Sequence, residues 1–221
     1  MFYNVSLQFR SDIFTQFGNI KISPIERGYT MIDHIIIEKK TGAEMFLGMN
    51  HSLLDFWAWT HSDLISNTER GRLAEYIVSC ALQSPSQYRI EWDAVDVVAL
   101  NDIKVEVKSS AYLQAWKQKK FSSIQFDIAP KKSWDSVTNL YSETKLRSAD
   151  VYVFCLFSSM DSKTANPLDL KQWEFYVLST KVLNDCVPEQ KKIGLNSLIK
   201  LGAKKVCFDE IYDTVNAVVN L

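Results

Sequence analysis

The sequence predicts an α/β fold: a mixed central sheet flanked by helices, preceded by an N-terminal extension. Three observations predict it. A capped amphipathic helix precedes two valine-rich runs of strand character. A continuous apolar run, Val151-Tyr152-Val153-Phe154-Cys155-Leu156-Phe157, follows downstream. Short helical segments then close the chain.

Taken in order, residues 1–65 read as the extension. Tyr3, Val5, Leu7 and Phe9 alternate as in a strand, and residues 30–38 suggest another. Residues 53–59 are apolar enough for a buried helix. The next helix spans 68–82: Ser66 and Glu69 have the spacing of a capping box, and Leu73, Ile77, Cys80, Ala81 and Leu82 supply an apolar stripe. Strands are expected near 88–92, 94–100 and 103–109, where branched side chains suit a pleated surface. Further strands are expected over 124–128, 150–157 and 173–178, and short helices over 181–185, 195–201 and 210–219. Residues 66–221 thus form the expected core domain.

Composition bounds the function. Of 221 residues, 47% are apolar, enough for a sizeable core. Lys and Arg number 25 against 26 acids, so there is no global pull toward nucleic acid, and any such binding needs a local basic face. No run approaches the ~18 apolar residues of a membrane span, and Met1-Phe2-Tyr3-Asn4 lacks the start of a secretory signal. Cys80, Cys155, Cys186 and Cys207 form no CxxC pair and read as buried free thiols in a reducing cytoplasm. His34, His51 and His61 have no zinc-ligand spacing. No glycine pattern for cradling a nucleotide is present.

The chemistry sits in two runs: Trp92-Asp93-Ala94-Val95-Asp96-Val97-Val98, then Lys104-Val105-Glu106-Val107-Lys108-Ser109-Ser110. A charge inside a strand is costly to bury unless it is paired or holds a metal. Alternation sends Glu106 and Lys108 to one face and Val105 and Val107 to the other. Whether Asp96 joins them depends on register. A two-residue turn at Asn101-Asp102 would set Asp96 opposite Val107, on the wrong face. A three-residue loop or a bulge, with Leu100 opposite Lys104, brings Asp96 opposite Lys108 and diagonal to Glu106, ~7–8 Å apart along the backbone. Asp93, the competing acid, would lie roughly 13 Å from the residue facing Glu106. An ordinary half-exposed strand with its charges in water explains the same pattern without chemistry.

Asp96, Glu106 and Lys108 stand at the aspartate, second acid and lysine of the PD-(D/E)xK nuclease superfamily, which the chain resembles, departing from it in carrying Val95 where proline is nominal. Gly71-Arg72-Leu73-Ala74-Glu75 is similar to the glycine-to-glutamate helix of resolvase-like members. The resemblance implies a restriction-endonuclease-like core. It implies Mg²⁺ or Mn²⁺ held by Asp96, Glu106 and the Val107 carbonyl, with Lys108 at the water or phosphate. Glu75 becomes an additional acid by the same resemblance, and Gln114 a polar helper. From its residues alone, Glu75 equally suits a surface pair with Arg72.

Beyond the motif lies the most basic span of the chain. Lys117, Lys119, Lys120, Lys131 and Lys132 occur with one acid, Asp127, and with Trp116, Phe121 and Trp134 interleaved. Lysines follow phosphates and aromatics stack on bases, although a solvated loop accounts for the lysines as well. Arg147 is a candidate phosphate contact or a partner of Asp150. The expected function is a metal-dependent deoxyribonuclease in restriction, defence or repair, with DNA as partner, no membrane, and a homodimer as one arrangement. The alternatives are a catalytically inactive DNA-binding or scaffold protein on the same fold, and an unrelated interaction domain.

Overall fold

The computed structural model describes residues 37–84, 88–90, 94–132, 134–135 and 140–219. The chain divides into two units, residues 1–38 and residues 39–221, and the described residues belong almost wholly to the second. The strand expected over 3–9, and nearly all of that over 30–38, lie outside them.

Helix α1 (Leu53–His61) opens with a complete capping box: the Ser52 hydroxyl accepts from the Asp55 N–H, and the Asp55 carboxylate accepts from the Ser52 N–H at 2.7 Å. The sequence predicts this helix buried, yet none of its residues is. Its aromatic rings pack locally instead: Phe56 meets Phe46 and Trp59, and Trp57 lies over Gly42. Gly42 has φ +92°, and a Cβ there would come within 3.0 Å of the Trp57 ring, so only glycine suits the position.

Helix α2 (Asn67–Ala81) starts where the sequence places it, with the Ser66 hydroxyl accepting from the Glu69 N–H. The box is half made, because the Glu69 carboxylate turns to His61 and Arg72. The buried stripe is Arg70, Ala74, Ile77 and Val78, continuing to Leu82, while Leu73 is half-buried and Cys80 exposed. An arginine therefore occupies the first turn of the apolar face.

Next come β1 (Val97–Val98) and β2 (Lys104–Ala111). β1 is much shorter than expected, and residues 88–90 form no strand. β3 (Gln125–Asp127), β4 (Trp134–Asp135), β5 (Leu140–Tyr141), β6 (Val151–Phe157) and β7 (Trp173–Ser179) follow. After them come α3 (Thr180–Cys186), β8 (Lys192–Gly194), α4 (Leu195–Lys200), β9 (Lys204–Val206) and α5 (Ile211–Val219). The main sheet has the order β1-β2-β6-β7-β9, with β2 and β6 parallel and the other neighbours antiparallel. It is a mixed sheet with helices on both faces. β3 and β8 make a separate ribbon.

Every residue of β6 is buried, as a central strand covered on both faces requires. On one face Val105, Val107, Val153 and Phe157 pack with Ala74 and Ile77 of α2 and with Ile211 and Val215 of α5. On the other, Tyr152, Phe154 and Leu156 meet Phe126, Ile193, Leu183 and Leu198. Glu106 and Lys108 alternate onto this second face, beside Tyr152 and Phe154 in register. Of the four cysteines only Cys155 is buried, which corrects the expectation for the other three: Cys80 and Cys186 are exposed near the ends of α2 and α3, and Cys207 is exposed in the loop after β9. No helix among the described residues is long and apolar enough to cross a membrane.

Candidate functional site

The β1–β2 turn decides the site. The Ala99 N–H reaches the Ile103 carbonyl at 2.9 Å and the Asp102 N–H reaches the Ala99 carbonyl at 3.0 Å, leaving Leu100–Asp102 as a three-residue loop. Asp102 takes φ +63°, a left-handed conformation that aspartate tolerates. The loop sits one residue earlier than expected. Val97 then pairs with Val105 and Val98 with Lys104, which sets Asp96 opposite Glu106 rather than Lys108 and keeps it on the Glu106 face. Asp93 lies outside the described residues.

The three charges meet. The Lys108 ammonium donates to Glu106 Oε1 at 2.5 Å and stands 3.7 Å from Asp96 Oδ2. All three side chains are largely buried, 16–22% exposed. Asp96 Oδ2 also accepts from the Val107 N–H at 2.8 Å. The amide and carbonyl of one strand residue point to the same edge, so the Val107 carbonyl faces the Asp96 side too. Burial pushes the Glu106 carboxyl above its ordinary range, with Lys108 opposing and Asp96 adding to the rise. Burial works against the Lys108 ammonium, but the Glu106 and Asp96 carboxylates outweigh it and hold it charged. Two carboxylates against one ammonium leave surplus negative charge at a strand edge.

Among the described residues, no three of His, Cys, Asp and Glu gather as a metal-binding group. A magnesium site does not need that many. It is commonly built on one or two carboxylates, with water and substrate phosphate completing the shell. Asp96, Glu106 and a main-chain carbonyl are hard oxygen donors of that kind, so the residues present fit.

Glu75 does not pair with Arg72 as its spacing allowed. Arg72 binds Glu69 at 2.8 Å, and Glu75 binds Arg89 at 2.5 Å. Glu75 and Asp96 nonetheless line the same cavity, between α2 and β1. Gln114 organises a loop: its side-chain amide donates to the Ala111 carbonyl and the Ser122 hydroxyl, and its backbone N–H donates to the Gln118 side chain. That closed loop displays Lys117, Lys119 and Lys120 with Trp116 and Phe121, all exposed. Lys131 is closer to the chemistry, 3.9 Å from both Glu106 and Asp127, and Lys132 is exposed beside it.

Arg147 must be corrected. It is buried and donates to the carbonyls of Ile128, Val187 and Gln190 and to the Asn184 side chain, so it faces neither a phosphate path nor Asp150. Asp150 instead accepts from the Lys104 N–H at 2.9 Å.

Sequence reasoning missed two residues. Asp127 stands by the site and helps to hold Lys108 charged; its signal was being the one acid in a basic span. Arg70, buried under α2, donates to Ser109 on β2, the neighbour of Lys108, and burial lowers its pKa. Its signal was an arginine at helical spacing from Ala74 and Ile77.

No curated protein matches the chain. A family model, bacteriophage T4 endonuclease IV, matches residues 26–193. That span carries the three-charge cluster, the cavity beside it and the basic loop beyond, and over most of its length the chain thereby belongs to the bacteriophage T4 endonuclease IV family, a nuclease family.

Proposed function

We propose that this chain is a divalent-cation-dependent nuclease that hydrolyses phosphodiester bonds of DNA on a restriction-endonuclease-like core of the PD-(D/E)xK type. The observation that carries the reading is the meeting of Asp96 and Glu106 on the one Lys108 ammonium at a sheet edge. Asp96, Glu106 and the Val107 carbonyl would hold the cation, and a bound Mg²⁺ or Mn²⁺ supplies an acidified water and offsets charge on the phosphate. Lys108 supplies donors to a phosphate oxygen or to the attacking water, in surroundings dry enough to strengthen them. The Val107 N–H fixes the Asp96 carboxylate, so that acid is oriented before substrate arrives.

The test is a titration of Mg²⁺ and Mn²⁺ against linear, nicked and branched DNA over a range of pH. Cleavage is expected to need the cation. Glu106 must be ionised to hold it, and its pKa lies above the ordinary 4.5. Acidification therefore protonates Glu106 and switches cleavage off at a higher pH than an exposed glutamate would. Cation-independent cleavage, or none under any condition, rejects the proposal; DNA binding with no cleavage supports the inactive alternative.

The basic loop supplies sequence-independent affinity. Replacing Lys117, Lys119 and Lys120 together by alanine is expected to reduce the slope of log K against log salt by about two to three, as loss of three phosphate contacts requires. An unchanged slope would make these lysines ordinary surface charges.

A further inference from the structure

We propose that the cavity between α2 and β1 is a nucleobase pocket, holding the base of a nucleotide that flanks the scissile phosphate. The proposal rests on the nuclease reading above and adds the ligand that this cavity takes.

Size comes first. The cavity measures about 160 Å³. A cavity of about 150 Å³ holds a benzene ring, whereas drug-sized pockets begin near ~300 Å³. The space admits a ring system but not a whole nucleotide.

Charge points the same way. The lining carries Arg72 and Arg89 against Glu75 and Asp96, and each guanidinium already sits on a carboxylate, Arg72 on Glu69 and Arg89 on Glu75. A phosphate would find the cations engaged and two acids facing it. A neutral heterocycle meets no such penalty.

The walls suit a flat ring. Tyr76 and Tyr88 line the cavity and stand 68% and 39% exposed, leaving flat aromatic surface open to a stacking partner. A base stacked on either would remove that surface from water.

Position links the cavity to the chemistry. Asp96 belongs both to its wall and to the cluster with Lys108. A base seated against Asp96 therefore carries its own backbone phosphate toward the lysine. To reach the cavity the base must leave its stack, which costs least where the strand is already single.

The experiment is an abasic scan by equilibrium binding. A short single-stranded DNA oligonucleotide is made with one abasic site at each position in turn, and binding is measured in EDTA so that nothing is cut. Wild type is expected to show one position where removing the base weakens binding about tenfold, the scale of one lost stacked base. Ser79→Phe, which fills the cavity from α2, should bind the intact strand as weakly as wild type binds that abasic strand, and should give a flat scan. Ile199→Ala, at an exposed position of α4 outside the cavity and the basic loop, should keep the step. Melting curves check folding, and Tyr88→Ala gives the same comparison if Ser79→Phe does not fold. A flat scan in wild type, or a step undiminished in a folded cavity variant, overturns the pocket. Because no cation or cleavage enters the assay, failure of the nuclease reading shows separately, as absent cleavage with the abasic step intact.

Discussion

Lys108→Ala is expected to leave DNA binding nearly intact and to lower the single-turnover cleavage rate by about 10²–10³-fold, the usual loss when one preorganised donor to a developing charge is removed. The geometry argues for an effect of that size. Lys108 is the ammonium that both Glu106 and Asp96 face, at 2.5 and 3.7 Å. Without it, two largely buried carboxylates confront each other with, among the described residues, only the more exposed Lys131 near Glu106. Glu106, already raised by burial and by Asp96, then moves further up, so the variant should lose more activity at mildly acidic pH than at alkaline pH. Lys108→Arg should not restore the rate, because a planar fork cannot take the place of a compact ammonium between two acids. Rates across pH, with a melting curve for each variant, decide the matter. Cleavage within tenfold of wild type would reduce the cluster to an ordinary charged strand.

Arg147→Met is expected to be the most destabilising single change among the residues discussed, with no loss of DNA affinity per folded molecule. The guanidinium ties the end of the β3 segment at Ile128 to Asn184 of α3 and to the turn at Val187 and Gln190. Removing it strips the buried Ile128 carbonyl of the guanidinium, while Val187 keeps the Gln190 N–H and the exposed Asn184 and Gln190 can turn to water. At about 1–3 kcal/mol for a buried acceptor left unsatisfied, with the packing of the buried side chain lost as well, the loss should reach about 3 kcal/mol. In a chain of this size that lowers the melting temperature by roughly 10 °C. A variant that melts like wild type but binds DNA poorly would return Arg147 to the phosphate contacts.

What the sequence revealed and what it hid follow from the range of the forces involved. β6 was legible because seven consecutive apolar residues have no amphipathic alternative, and the start of α2 because Ser66 caps locally. The face shared by Glu106 and Lys108 came from alternation alone. The register of Asp96 did not: it depends on Asp102 adopting a left-handed conformation, which several turn sequences tolerate. Helical spacing offered Glu75 a pair with Arg72, three residues away, beside a place in the site, yet its ion-pair partner is Arg89, fourteen residues on. Arg147 and Arg70 misled for a related reason. An arginine is usually a surface residue, and only the assembled carbonyls and hydroxyls around these two make burial tolerable. α1 shows the opposite error, since an apolar stretch can satisfy its rings against one another without entering the core.

The hydrogen bond from the Val107 N–H to Asp96 carries a lesson for anyone mutating the site. β1 spans only two residues, so past Val97 the aspartyl oxygen plays the part of a missing neighbouring strand. Asparagine at position 96 keeps an oxygen there while discarding the charge. Alanine leaves a naked backbone donor on a border that other copies of the chain can extend by strand addition. An alanine substitution that comes off a sizing column as oligomers would be reporting lost edge protection, and the asparagine form is the cleaner probe of chemistry.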